Sequence, residues 1–90
     1  MVTKPKLESD LEKILKREFP GVVLEIHKIP LSDKLGGFLI WEKFLGHSHR
    51  QRQSMLWGVL RTNLTENEQL QLSTLFTVTQ AELDSMRASE

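Results

Sequence analysis

The side chains of this chain that could do chemistry are a few histidines and a cluster of arginines. His47-Ser48-His49 is an H-x-H pair, and His27 is a further histidine. Imidazole nitrogen binds zinc and copper, so His27, His47 and His49 are the candidate metal ligands. His47 precedes a helix cap and His49 falls in the first turn of the helix, where the two side chains need not converge. Ser48 has Gln51 three residues on. That is the spacing of a capping box, in which the serine oxygen takes the Gln51 amide and the glutamine side chain reaches back. A cap explains Ser48 better than a nucleophile does, and no Ser–His–Asp set or carboxylate pair stands out. The expectation is a non-enzymatic protein with no cofactor of its own. Lys43, Arg50, Arg52 and Arg61 could form a local basic patch near Gly46, and the helix start at Ser48 could receive an anion.

The chain as a whole narrows the classes. It has 90 residues, enough for one domain whose core is small enough to be marginal. Twelve basic residues balance twelve acidic ones, so no global field draws it to nucleic acid or an anionic membrane. With no cysteine it has no disulfide, no thiolate nucleophile and no cysteine-ligated metal. No apolar run reaches the ~20 residues of a membrane span. The basic start, Met1 to Lys6, is not followed by a signal-peptide core. A soluble, cytoplasmic protein with no membrane partner is expected.

The elements that must position these residues follow from periodicity. Residues 1–6 read as a flexible arm and 7–88 as one domain. Ser9, with Glu12, opens a helix whose apolar face is Leu11, Ile14, Leu15 and Phe19, ended by Pro20-Gly21. Val22 to Ile29 reads as a strand. Gly36-Gly37 leads into a second strand from Phe38 to about Phe44, and the short separation predicts an antiparallel hairpin. A helix from Ser48 to about Thr62 carries Met55, Leu56, Val59 and Leu60 on its core face, with Arg52 near that side and Trp57, Arg50 and Arg61 on another. Gly58 within it costs ~1 kcal/mol relative to alanine, which suggests a close neighbour. Thr65 to Phe76 supports two readings. Thr65–Glu68 is a capping box with Leu72, Leu75 and Phe76 at helical spacing, while Leu70, Leu72, Thr74 and Phe76 alternate as in a strand. Thr79-Gln80-Ala81-Glu82 caps a last short helix carrying Leu83 and Met86.

The pattern F-x-G-x-S-x-x-Q-R at Phe44, Gly46, Ser48, Gln51 and Arg52 resembles the BolA family, whose fold is similar to class II KH domains. Trp57 takes the family's aromatic place, and Thr79-Gln80-Ala81-Glu82-Leu83 is similar to its T-P-E-E-W/L end. Gln53 and Ser54 replace the usual His and Arg. The resemblance tips Leu70 to Thr77 toward a strand parallel to Phe38–Phe44. It implies an α+β, α-β-β-α-β-α sandwich with a three-stranded mixed sheet and helices on one face. It also implies a partner, a monothiol glutaredoxin, sharing a two-iron, two-sulfur cluster in iron homeostasis. The family's ligand at the start of the third strand falls on Gln71, and amide oxygen is a poor ligand for soft iron. The other lies in a loop between the first strands that is shortened here and holds neither Cys nor His; His27 is its nearest imidazole. The resemblance therefore implies the fold with lost or weakened cluster ligation.

The reading is a BolA-like interaction or regulatory domain with a protein partner, a glutaredoxin or a second copy, in redox or stress response. Its contact face is expected on the open side of the sheet. With Leu24, Ile26, Phe38 and Ile40 toward the helices, Trp41, Leu39, Leu75 and His27 share the other side, an apolar patch rimmed by charge. A bulge that inverts the strand would instead put Trp41 in the core. The alternative is a small nucleic-acid-binding regulator using Lys43, Arg50, Arg52 and Arg61. The G-x-x-G turn of KH domains does not occur.

Overall fold

A hairpin and a returning strand make the sheet. In a computed structural model, which describes residues 6–88, the order is α1 (Lys6–Glu18), β1 (Val23–Lys28), β2 (Leu35–Ile40), a 3₁₀ turn (Glu42–Phe44), α2 (His49–Asn63), α3 (Glu66–Leu70), β3 (Leu72–Val78) and α4 (Gln80–Ala88). β2 is central, antiparallel to β1 and parallel to β3. The chain is α+β with a mixed sheet of three strands. The expected arm lies outside the described residues except for Lys6, which begins α1. Ser9 consequently sits inside that helix and does not open it. No helix among the described residues is long and apolar enough to cross a membrane.

Leu11 and Leu15 of α1 and Leu56 and Leu60 of α2 are fully buried against Leu39, Leu72 and Leu75, with Phe19 and Phe44 closing one end. Each helix delivers its pair at the i, i+4 spacing that puts two side chains on one face. Leu24 and Ile26 pack on this layer from β1. A smaller cluster of Ile40, Val78 and Leu83, with Phe38 against it, lies on the opposite side of the sheet. α4 therefore covers that side, and the helices are not confined to one face as expected. Arg87 at its end reaches Glu25 of β1, Nη2 to Oε1 2.5 Å.

The phase of β2 is the main correction to the sequence reading. Ile29 N donates to Lys34 O at 2.9 Å, closing the hairpin loop. That closure sets Leu24 opposite Leu39 and Glu25 opposite Phe38. Opposed residues share a face, so Leu39 joins Leu24 in the main core, and Phe38 and Ile40 turn to the α4 side. A second irregularity moves Leu75. Leu35 pairs with Leu72 but Gly37 pairs with Leu75, so β3 carries an extra residue at a bulge. The bulge lets Leu72 and Leu75 both point inward, at 6% and 1% exposure. Gly37 is required where β1 crosses: its φ is +146°, and a Cβ there would lie 1.8 Å from Glu25 O. The second strand also starts earlier and ends sooner than expected, at Leu35 and Ile40, because Trp41 to Phe44 turns into the 3₁₀ segment.

The strand reading holds for β3, which starts at Leu72 and not at Leu70, while the helical reading holds only as far as Leu70 and loses Leu72, Leu75 and Phe76 to the strand. Thr65 and Glu68 form a reciprocal capping box that starts α3. The helix stops at Leu70, and β3 follows after Gln71. Among the described residues, and apart from the backbone of α2 itself, no atom lies within 4 Å of the Cβ position of Gly58, so no neighbour there explains it.

Candidate functional site

The two segments that carry the resemblance meet at Arg52. Ser48 caps α2: its Oγ accepts from Gln51 N at 3.2 Å and Gln51 Oε1 accepts from Ser48 N at 2.9 Å. Gly46, at φ +89°, lets the chain turn into that cap. Arg52 then points inward, 4% exposed, on the same stripe as Leu56 and Leu60. Its Nε donates to His47 O at 2.9 Å and its Nη1 to Thr77 O at 3.1 Å. The guanidinium also grips Glu82 through both oxygens, Nη1–Oε1 2.6 Å and Nη2–Oε2 3.1 Å. Bidentate pairing of this kind combines charge with fixed geometry. The guanidinium carbon lies 5.8 Å from the centre of the Phe44 ring.

Glu82 is held from its own side too. Its Oε1 accepts from Thr79 N at 2.8 Å, and Thr79 Oγ1 accepts from Glu82 N at 3.3 Å. The capping box that starts α4 thus shares its carboxylate with Arg52. The Arg52 hydrogen bonds, and then the Thr79 amide, lower the Glu82 pKa from 4.5 to about 2. Glu42 Oε2 accepts from Gln80 N at 2.9 Å, a second tie between the β2–α2 connection and the start of α4. The arrangement fixes the starts of α2 and α4 to the end of β3.

The candidate metal ligands do not come together. His27 is exposed on β1. His47 lines a surface cavity with Arg50, Gln51, Ser54 and Met55. His49 lines a different groove of about 430 Å³ with Gln53, Met86 and the β3 residues Thr74 to Val78. Among the described residues no group of three ligating side chains converges on one point. The residues do not fit the cluster implied by the resemblance. Gln71 stands before β3 with its amide turned to Asn67 O, at 3.4 Å. β1 and β3 flank β2, so His27 and Gln71 belong to opposite edges of the sheet.

The expected contact face is also corrected. Leu39 is 0% exposed and Leu75 1%, both within the main core. Trp41 packs on that core, edge-on to Phe19 and Phe44 at 5.1 and 5.2 Å between ring centres. Its Nε1 donates to Pro20 O at 2.9 Å. The patch of Trp41, Leu39 and Leu75 therefore does not exist as an open surface, leaving only His27 of that set exposed. Likewise Arg52 is taken out of the basic patch by Glu82. Lys43 lies 5.6 Å over the Trp41 ring, while Arg50 and Arg61 remain exposed near the two ends of α2. Eleven helical steps separate those two arginines, about 16.5 Å along the helix axis.

Sequence reasoning missed two features. One is Glu82 as the partner of Arg52. A cation on the apolar stripe of α2 signals that an anion must meet it, because an unpaired buried charge is costly. The other is the stacked pair Phe38–Phe76, ring centres 5.1 Å apart, with Phe76 44% exposed on the α4 side. No protein-family model matches the chain, and no curated protein matches it in sequence.

Proposed function

We propose that this chain is a non-enzymatic BolA-like interaction or regulatory domain of class II KH-like topology. Its partner is a protein, and a cytoplasmic monothiol glutaredoxin in iron or redox homeostasis is the first class to test. The observation that carries the reading is the Arg52–Glu82 pair. It joins the two segments in which the resemblance resides, and it commits their polar side chains to holding the sheet between α2 and α4. Ser48, Gln51, Arg52, Thr79 and Glu82 are all bonded within the frame. The α-β-β-α-β-α order, with the short α3 inserted, supports the same reading. Ligation of a shared iron–sulfur cluster is weakened, with Gln71 and His27 at opposite sheet edges.

The test is titration of the whole chain with a monothiol glutaredoxin of the same host, with and without anaerobic cluster reconstitution. Binding without a stable visible circular dichroism spectrum is expected. Absence of binding rejects the glutaredoxin partner. A stable shared cluster whose spectrum changes in His27→Ala rejects the loss of ligation. Salt-sensitive binding of DNA or RNA, lost on replacing Arg50 and Arg61, would instead select the nucleic-acid regulator.

A further inference from the structure

The two edges of the sheet differ. On β3 the carbonyls of Leu75 and Thr77 point away from β2, and α2 covers both. Gln53 Nε2 donates to Leu75 O at 2.9 Å, and Arg52 Nη1 to Thr77 O at 3.1 Å. β1 has no such cover. The Ile29–Lys34 bond fixes which β1–β2 pairs are hydrogen-bonded. The alternation of an antiparallel ladder then turns the backbone N–H and C=O of Leu24, Ile26 and Lys28 outward. Among the described residues, no side chain or loop bonds to these outward groups. Val23 is 55% exposed, Glu25, His27 and Lys28 are exposed, and Leu24 and Ile26 are only half-buried. An edge of this kind is a template for another strand.

We propose that β1 pairs with β1 of a second copy, antiparallel about a twofold axis through Ile26, joining the two three-stranded sheets into one. Backbone phase and charge together select this register. A twofold pairing that uses the outward groups can centre on Glu25, Ile26 or His27. Centred on Glu25, two carboxylates oppose each other; centred on His27, two imidazoles do. Centred on Ile26, Glu25 of each copy faces His27 of the other on the α4 side. On the main-core side Ile26 then meets Ile26, and the Lys28 stem lies over Leu24. Arg87 holds the Glu25 carboxylate on this surface from α4. The apolar layer under Leu24 and Ile26 becomes continuous across the axis. This interface does not depend on the BolA-like reading, and it uses none of the Arg52–Glu82 frame.

Sedimentation velocity of the whole chain over a wide concentration range tests it, and a reversible dimer is expected. His27→Glu puts a carboxylate against Glu25 at two symmetric positions and weakens the dimer about tenfold. Combining it with Glu25→Lys and Arg87→Gln, the last removing the guanidinium that would otherwise oppose the new lysine, restores pairing in this register alone, since centring on either position would then oppose like charges. Far-UV circular dichroism of each variant checks that the fold is kept. Independently of any variant, a mixed sample of labelled and unlabelled chains should show an Hα–Hα contact between Glu25 of one copy and His27 of the other. That contact marks a non-hydrogen-bonded antiparallel pair. A monomer at every concentration overturns the proposal. So does a dimer indifferent to these substitutions, or one whose intermolecular contacts fall on β3 or around Trp41.

Discussion

Arg52 and Glu82, thirty positions apart in sequence, are joined by two parallel hydrogen bonds of 2.6 and 3.1 Å. Arg52 is buried, while the Glu82 side chain keeps 38% of its exposure. Removing one partner leaves a guanidinium without its counter-charge. Glu82→Gln should cost about 2–3 kcal/mol, below the loss for a fully enclosed pair because water still reaches Glu82. Urea unfolding measures it. A double-mutant cycle with Arg52→Met should show strong coupling.

The same pair sets an acid dependence. The Glu82 pKa is lowered by folding, from 4.5 to about 2. Its contribution is therefore complete above the unfolded value and is lost as pH falls from about 4.5 toward 2. Stability measured across that window should decline in the wild type, and Glu82→Gln should remove this part of the decline. An unchanged slope in the variant would refute the linkage.

Trp41 separates a packed role from a contact role. Trp41→Ala should cost about 2–4 kcal/mol, since it removes the contacts with Phe19 and Phe44 and the bond to Pro20 O. Leu39→Ala should cost a similar amount. Leu45, 74% exposed, should tolerate alanine to within about 0.5 kcal/mol. Chemical denaturation of the three variants checks the order.

Glycine substitutions should have opposite signs. Gly37→Ala drives a Cβ into the Glu25 carbonyl and should prevent the β1–β2 ladder from forming. Gly58→Ala meets nothing within 4 Å and should stabilise α2 by about 0.5–1 kcal/mol. Thermal melts followed by circular dichroism distinguish them.

The caps were legible in the sequence. Ser48–Gln51, Thr65–Glu68 and Thr79–Glu82 each form reciprocal bonds in the fold, because a capping box needs only neighbours in the chain. The hairpin and the β2–β3 pairing were legible from short connections, the alternation along β3 and the order that the BolA resemblance implies. The face of β2 was not, since Leu39 and Ile40 are both apolar and only the loop closure at Ile29–Lys34 decides between them. The inward turn of Leu75 depends on an extra residue in β3, which composition does not mark. Ser9–Glu12 shows the converse: a good local signal that is spent inside a helix already begun at Lys6.

The sharing of one carboxylate between a cap and a buried guanidinium has a consequence for divergence. Substitution at position 82 disturbs the Thr79 amide and Arg52 together, so drift at either end demands compensation at the other. The pair is then a covariation marker. In distant homologues, S-x-x-Q-R followed by T-x-x-E should persist or change as a unit, even where the surrounding apolar residues have been exchanged.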